Sequence, residues 1–237
     1  MSERYFDHTT LFKKLATLKP GLSKASYYRL VKNMVADGEL IKIGRDTYCV
    51  PESGISIYRH GYSDLAQGLA KDVNEQHPLV DFRIFETVQL NVFLNHLIGK
   101  NVIFLFVEEP YGEFLFSEIR DRYNNNVLIN PTIDVFNQYW NENMIVIGKL
   151  PTESPKGREA FWHTEIEKLL VDIISENLIA ESFSESEYRG MYEMALSQYV
   201  VDERQMFRYA RRRGVEKKVR AFWEKETSVK GERSDGL

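Results

Sequence analysis

The sequence predicts an α+β protein: an N-terminal winged helix-turn-helix followed by an α/β domain with a mixed sheet and C-terminal helices. Three observations support this fold class. The first fifty residues contain two amphipathic helical patterns and then two short β-like runs. The middle of the chain alternates β-like runs with helical patterns, and the part after residue 160 is mainly helical in pattern. Because 237 residues exceed what one small domain needs, we predict two domains, residues 1–53 and 54–237.

Two helices are predicted at the N-terminus. In the first, Thr9–Leu18, the apolar residues share one face, and Pro20-Gly21 ends the helix. The second begins after Ser23, a residue type that caps helix N-termini, and runs to about Asp37. Its apolar residues have the i, i+3, i+4, i+7, i+8 spacing of a half-buried helix. They are Tyr27, Leu30, Val31, Met34 and Val35.

A two-stranded hairpin is predicted next, from Leu40–Ile43 and Thr47–Val50. The connector Gly44-Arg45-Asp46 has turn chemistry, because Gly and Asp tolerate left-handed backbone angles. This order of elements, a helix, a turn, an amphipathic helix and a hairpin, is that of a winged helix-turn-helix, a module that binds duplex DNA. Winged helices also serve as protein-protein modules, and that alternative stays open.

The face of the second helix opposite its apolar stripe suits a DNA groove. Small residues at Ala25 and Ala36 allow close approach, Arg pairs bidentately with guanine, and Asn pairs with adenine. Lys and Ser reach phosphates, and a wing places Arg45 at its tip beside the duplex backbone. The alternative is a solvated cationic helix face. The predicted DNA-binding residues are Lys24, Ser26, Tyr28, Arg29, Lys32, Asn33, Lys42 and Arg45.

Charge is distributed unevenly along the chain. Residues 1–53 carry 9 Lys/Arg and 6 Asp/Glu, a net charge of +3. Residues 54–203 carry 11 and 24, a net charge of −13, and residues 204–237 carry 11 and 5, a net charge of +6. An acidic middle is a poor partner for polyanions. The two basic ends are therefore the candidates for binding double-stranded DNA.

The acidic middle is predicted to form an α/β layer with a mixed sheet. A helix is expected over Ser63–Asn74. The β-like runs are Asp81–Phe85, Val102–Val107, Asn126–Ile129 and Met144–Ile147. Helix-like stretches lie between them, at Val88–Leu97, Phe114–Asp121 and Ile133–Trp140.

No enzyme, cofactor or metal site is predicted in this domain. Cys49 is the only cysteine, which excludes a disulfide framework and a Cys-rich zinc site, and the five histidines are scattered. The alternative is a metal-dependent nuclease guided by the winged helix, since carboxylates at strand ends can hold Mg²⁺ and, together with a lysine, activate water. Its candidate residues are Glu86, Glu108, Glu109 and Lys149, at a spacing that matches no tight motif.

Three helices are predicted after residue 159. A long one covers Ala160–Ala180, a second follows the capping pair Ser184 and Glu187, and a third follows Asp202. The third carries an arginine stripe, which suits a partner, a phosphate or the acidic middle of the same chain. The alternative is a solvated helix end, where the helix dipole favours cations. The predicted partner-binding or phosphate-binding residues are Arg204, Arg208, Arg211, Arg212 and Arg213.

Two parts of the chain resemble a known family. The segment "LVKNMVADGELIKIGRDTYCV" resembles the winged-helix end of AbiEi-type antitoxins and related bacterial transcriptional regulators. The segments "EIEKLLVDII" and "YVVDERQMFRYARRRG" resemble the C-terminal part of a relative of that family. Asp46 departs from the pattern, because a second glycine is usual in the wing.

The resemblance implies a function in a type IV toxin-antitoxin system. Such proteins repress their own operon through the winged helix and neutralise a nucleotidyltransferase-like toxin, directly or functionally, through the C-terminal domain. The expected partners are thus the protein's own operator DNA and this toxin. A protein-interaction scaffold in a phage-defence complex is a further alternative.

No membrane association is predicted. No apolar run reaches the ~18 residues of a membrane span. No apolar stretch follows Met1-Ser2-Glu3-Arg4, so no signal peptide is predicted. We expect a soluble, cytoplasmic protein.

Overall fold

The protein is described here by a computed structural model that covers residues 5–43, 46–51, 55–180 and 183–224. It is an α+β protein whose helices accompany two small sheets. The chain divides into two compact units. Unit 1 lies within Met1–Tyr58 and Leu196–Asp202, and unit 2 lies within Arg59–Ala195 and Glu203–Leu237.

The described N-terminal residues of unit 1 form two helices and a three-stranded antiparallel sheet. Both predicted helices are confirmed, and each starts at a side-chain cap: Asp7 Oδ1 accepts from the Thr10 N–H (2.7 Å), and Ser23 Oγ accepts from the Ser26 N–H (3.2 Å). In chain order the elements are β1 Tyr5–Asp7, α1 His8–Leu18, α2 Lys24–Ala36, β2 Ile41–Lys42 and β3 Thr47–Cys49.

The sheet of unit 1 has the order β1-β3-β2. The predicted hairpin is confirmed, with Lys42 opposite Tyr48, and the Ile43 N–H donates to the Thr47 carbonyl (3.0 Å). Strand β1 was not predicted; it is three residues long, too short for its alternation to be recognised in the sequence. Gly44 and Arg45, which were predicted to form the turn, lie outside the described residues.

Unit 2 is built on a mixed four-stranded sheet in the order β4-β5-β7-β6, so the mixed sheet is confirmed. Strand β4 is antiparallel to β5, while β5, β7 and β6 are mutually parallel. The central strand β5 is apolar and buried along its whole length, as expected for a strand covered on both faces. The strands are β4 Phe82–Glu86, β5 Val102–Val107, β6 Val127–Ile129 and β7 Met144–Lys149.

Helices cover the two faces of this sheet. On one face, Leu115 and Ile119 of α4 (Gly112–Arg122) join the cluster that includes Ile103 and Leu105 of β5. On the other face, Phe136 of α5 (Ile133–Tyr139) stacks near Phe104, with ring centroids 6.3 Å apart. The remaining helices are α3 Asp64–Gln76, α4 Gly112–Arg122, α5 Ile133–Tyr139, α6 Ile166–Ser175, α7 Asn177–Ala180, α8 Glu185–Gln198 and α9 Glu203–Arg212. Residues 216–224 are also helical. No described helix combines the length and apolarity needed to cross a membrane.

Two predicted helices are wrong in extent. Val88–Leu97 is reduced to a 3₁₀ helix, Thr87–Val92. The single helix predicted over Ala160–Ala180 begins only at Ile166 and is interrupted at Glu176, so it forms α6 and α7. The preceding residues lie along the edge of β4 instead: the Trp162 carbonyl accepts from the Ile84 N–H (2.8 Å), and Thr164 Oγ1 donates to the Ile84 carbonyl (2.7 Å). Backbone groups paired with a sheet edge are not available for a helix.

Candidate nucleic-acid interface

The buried side of α2 fixes which side of the helix faces outward. Tyr27 and Val31 are buried against α1 and the sheet of unit 1. Tyr27 also donates a hydrogen bond from its hydroxyl to the His8 carbonyl (3.3 Å). Burial raises the pKa of Tyr27 to about 12, so this hydroxyl stays a hydrogen-bond donor. These contacts anchor α2 and leave its opposite side in solvent.

The opposite side forms a surface that we call the α2 face. It consists of the exposed residues Lys24, Tyr28, Arg29, Lys32 and Asn33. The helix contains no acidic residue. Within the described part of unit 1, no side-chain hydrogen bond or ion pair engages the α2 face cations. Tyr28 is held by ring contacts with His8 and Tyr27, at centroid distances of 5.3 and 5.4 Å, and remains 57% exposed.

The other three predicted DNA-binding residues have different outcomes. Ser26 is half-buried, and its Oγ accepts a hydrogen bond from Ser23 Oγ (3.0 Å), so it is part of the N-terminal cap of α2. Lys42 is exposed on β2. Arg45 lies outside the described residues.

The C-terminal arginines do not form one free stripe. Arg208 lies 3.6 Å from Glu153, and Arg211 lies 2.9 Å from Glu216. Arg213 is largely buried; its Nε donates to Ser175 Oγ (2.9 Å) and its Nη2 to Glu176 Oε2 (3.3 Å). Among the described residues, no acidic group pairs with the other two predicted arginines, Arg204 and Arg212, which are exposed.

The structure separates Glu86 from the other three residues of the nuclease alternative. Glu109, two residues after β5, forms an ion pair with Lys149, the last residue of β7 (2.8 Å). Glu86 lies at the opposite end of the sheet, because β4 is antiparallel and places it beside Ile103. No group of three or more His, Cys, Asp or Glu residues among those described is arranged to hold a metal ion.

Glu86 also has its own set of hydrogen-bond donors. Its oxygens lie 3.1 Å from His60 Nε2 and 2.7 Å from Asn101 Nδ2, and they accept from the Ser63 N–H and hydroxyl. Burial raises the pKa of Glu86, but these hydrogen bonds outweigh burial and hold that pKa below its ordinary value. The carboxylate therefore links α3 to the sheet.

One polar cluster was missed by the sequence analysis. Lys168 and Asp172, an i, i+4 pair on α6, form a buried ion pair, and the Tyr209 hydroxyl donates to Asp172 Oδ1 (2.9 Å). The Lys168 ammonium also lies 4.2 Å from the centre of the Phe106 ring. The sequence signal for this cluster was an oppositely charged i, i+4 pair within a mainly apolar helix. The same pair pattern also occurs on solvated helices, so it does not identify a buried cluster.

A comparison with protein families identifies the group to which this chain is related. The model of a family of unknown function, DUF6577, matches residues 27–229. The chain belongs to this family. The match begins at Tyr27 in α2 and extends through unit 2, so the family includes most of the α2 face as well as the C-terminal helices. No curated protein matches the chain.

Proposed function

We propose that the protein is a DNA-binding transcriptional regulator that uses the N-terminal part of the chain as a winged helix-turn-helix. The observation that supports this proposal most strongly is the α2 face, a set of exposed donors on a helix without acidic residues whose other side is anchored in a core. Cations without local partners are available for phosphates and for guanine edges.

The side chains of the α2 face have distinct expected functions. Arg29 is the candidate for bidentate contact with guanine and Asn33 for contact with adenine. Lys24 and Lys32 are suited to phosphates, and the exposed Ala25 allows the helix to approach the groove closely. Among the described residues, Lys42 on β2 is the candidate for a contact between the wing and the DNA backbone.

The biological setting is proposed from the resemblance to AbiEi-type antitoxins. In this proposal the protein represses its own operon and neutralises a nucleotidyltransferase-like toxin, directly or functionally. The acidic stretch 54–203 supports a division of tasks, because its net charge of −13 disfavours DNA binding and suits a protein partner. In cells whose growth is arrested by a nucleotidyltransferase-like product of the neighbouring gene, co-expression of this protein should restore growth. Growth arrest that persists would contradict the antitoxin function.

The electrostatic part of DNA binding is tested by salt dependence. Lys42→Ala should weaken binding of the full-length protein to all DNA sequences and lower the slope of log K against log salt by about one unit, because one phosphate contact is lost. Fluorescence anisotropy at several salt concentrations measures both quantities. Lys71→Ala, at an exposed lysine of unit 2, is the matched control and should change neither. Equal effects of the two substitutions would show that DNA binding depends only on the net charge of the protein and not on a contact by Lys42.

We also propose that the protein is not a nuclease. The separation of Glu86 from Glu108, Glu109 and Lys149 supports this, since the carboxylates of a shared metal site must converge. Incubation of the protein with Mg²⁺ or Mn²⁺ and plasmid DNA should leave the plasmid intact. Cleavage by the wild-type protein that is lost in Glu108→Ala would contradict the proposal.

A further inference from the structure

A large crevice lies in unit 2 at the carboxyl ends of its parallel strands. Its volume is about 860 Å³, within the range of small-molecule sites. The residues that follow β5, β6 and β7 all line it, including Glu108, Asn130 and Leu150. We call it the strand-end crevice.

The connections of the sheet account for this crevice. The chain leaves β5 toward α4 on one face, and it leaves β6 toward α5 on the other face. Strand β7 lies between β5 and β6 in the sheet, so the two connections diverge on either side of its end. In open sheets with parallel strands, ligands bind at such a switch point, outside the carboxyl ends of the strands.

The charged groups that line the crevice form two ion pairs, and Glu108 and Arg212 belong to neither. Lys149 pairs with Glu109 (2.8 Å), and Arg213 pairs with Glu176 (3.3 Å). Glu108 Oε1 accepts from the Asp81 N–H (2.8 Å). Arg212 is exposed and has no ion-pair partner in the described part of the chain. One guanidinium is thus available for an anionic group on a ligand.

Arg213 offers a second, fixed cation beside Arg212. Its Nε and Nη2 are held by Ser175 and Glu176, whereas Nη1 has no hydrogen-bond partner among the described residues. An arginine whose orientation is already set loses less conformational entropy when it binds a ligand. Two adjacent arginines, one fixed and one free, suit a phosphate chain.

The rest of the lining suits a nucleoside. Phe104, Phe106 and Leu150 supply an apolar wall. Close packing next to this wall depends on Gly148, where a Cβ atom would lie 3.2 Å from the Phe106 ring. Asn130, Thr132 and Thr152 supply amide and hydroxyl groups that can bind sugar hydroxyls. The lining thus combines two adjacent arginines with polar and apolar sections.

We propose that the strand-end crevice binds a nucleoside phosphate, with Arg212 and Arg213 on the phosphates. The site lies wholly within unit 2 and does not depend on DNA binding by the α2 face. It gives the regulator a place at which a small ligand is sensed.

Isothermal titration calorimetry of the full-length protein with ATP and GTP tests this site. At least one of the two should bind with a dissociation constant below about 1 mM, and adenosine should bind at least about tenfold more weakly than ATP. Arg212→Ala should weaken nucleotide binding about tenfold or more, since it removes a charge-assisted contact. Thr152→Trp, at an exposed position of the lining, should also weaken binding by filling space.

Arg120→Ala is the matched control for charge. Arg120 is an exposed arginine on α4 outside the crevice lining, and its loss should leave nucleotide affinity within about twofold. Thermal unfolding of each variant shows whether the fold is intact. Failure of both nucleotides to bind at millimolar concentration would overturn the proposal, as would equal effects of Arg212→Ala and Arg120→Ala. Tripolyphosphate that binds as tightly as ATP would overturn the nucleoside part.

Discussion

Asp172→Ala should lower the free energy of unfolding by about 3–5 kcal/mol, the largest stability effect we expect from a single substitution in this protein. Asp172 is 4% exposed and neutralises Lys168, which is fully buried on the same helix. Removing the carboxylate leaves an ammonium group without a counterion and the Tyr209 hydroxyl without its acceptor. Burial already lowers the pKa of Lys168, and loss of Asp172 removes the main interaction that opposes this shift.

Urea unfolding at neutral pH measures this effect. Lys71→Ala removes one partner of an exposed i, i+4 pair with Glu75 (3.9 Å) and should change stability by no more than about 0.5 kcal/mol. The double variant Lys168→Met with Asp172→Leu should recover much of the loss, since a buried pair can be replaced by apolar residues of similar volume. A cost for Asp172→Ala no greater than that for Lys71→Ala would show that the cluster is solvated.

Arg29→Ala should produce the largest effect on DNA recognition. We expect a loss of about 1–3 kcal/mol at the specific site and a relaxed preference at the contacted base pair, because the substitution would remove the bidentate contact with guanine that we propose. Arg29 is exposed in the middle of the α2 face, so the fold should be unaffected. Fluorescence anisotropy with the upstream region of the protein's own gene measures the affinity.

The control for this substitution is again Arg120→Ala, which removes the same charge as Arg29→Ala but from unit 2. It should leave the affinity for upstream DNA within about twofold. If Arg29→Ala lowered binding to all DNA sequences by the same factor, Arg29 would be a phosphate contact. If it had no effect on any sequence, the α2 face would not be the recognition surface.

Elements with strong local signals were predicted well from the sequence. Strand β5 was located to the residue, because Val102–Val107 is a continuous apolar run of strand length. Helix α2 has both a capping serine and a full apolar stripe, and its predicted ends agree with the structure. The exposed residues of the α2 face followed directly from that stripe, since a half-buried helix has only one outward side.

Other features depend on partners distant in the sequence and could not be predicted. The helix predicted from Ala160 does not form over residues 160–165, because the Trp162 carbonyl and the His163 backbone pair with Ile84 at a sheet edge. The arginine spacing of α9 was recognised, whereas acidic partners such as Glu153 and Glu176 are set by tertiary packing. The burial of Lys168 is also set by tertiary packing, because a local sequence pattern does not show whether other elements bury a charged pair.

The most direct test of DNA recognition is a comparison of two DNA duplexes. The full-length protein is titrated, at physiological salt, with the upstream region of its own gene and with a shuffled duplex of the same length and composition. We expect binding to the upstream region to be about 10³-fold tighter or more, the ratio typical of specific recognition. Equal affinity for the two duplexes, or no binding to either even at low salt, would contradict the assignment of this protein as a sequence-specific regulator.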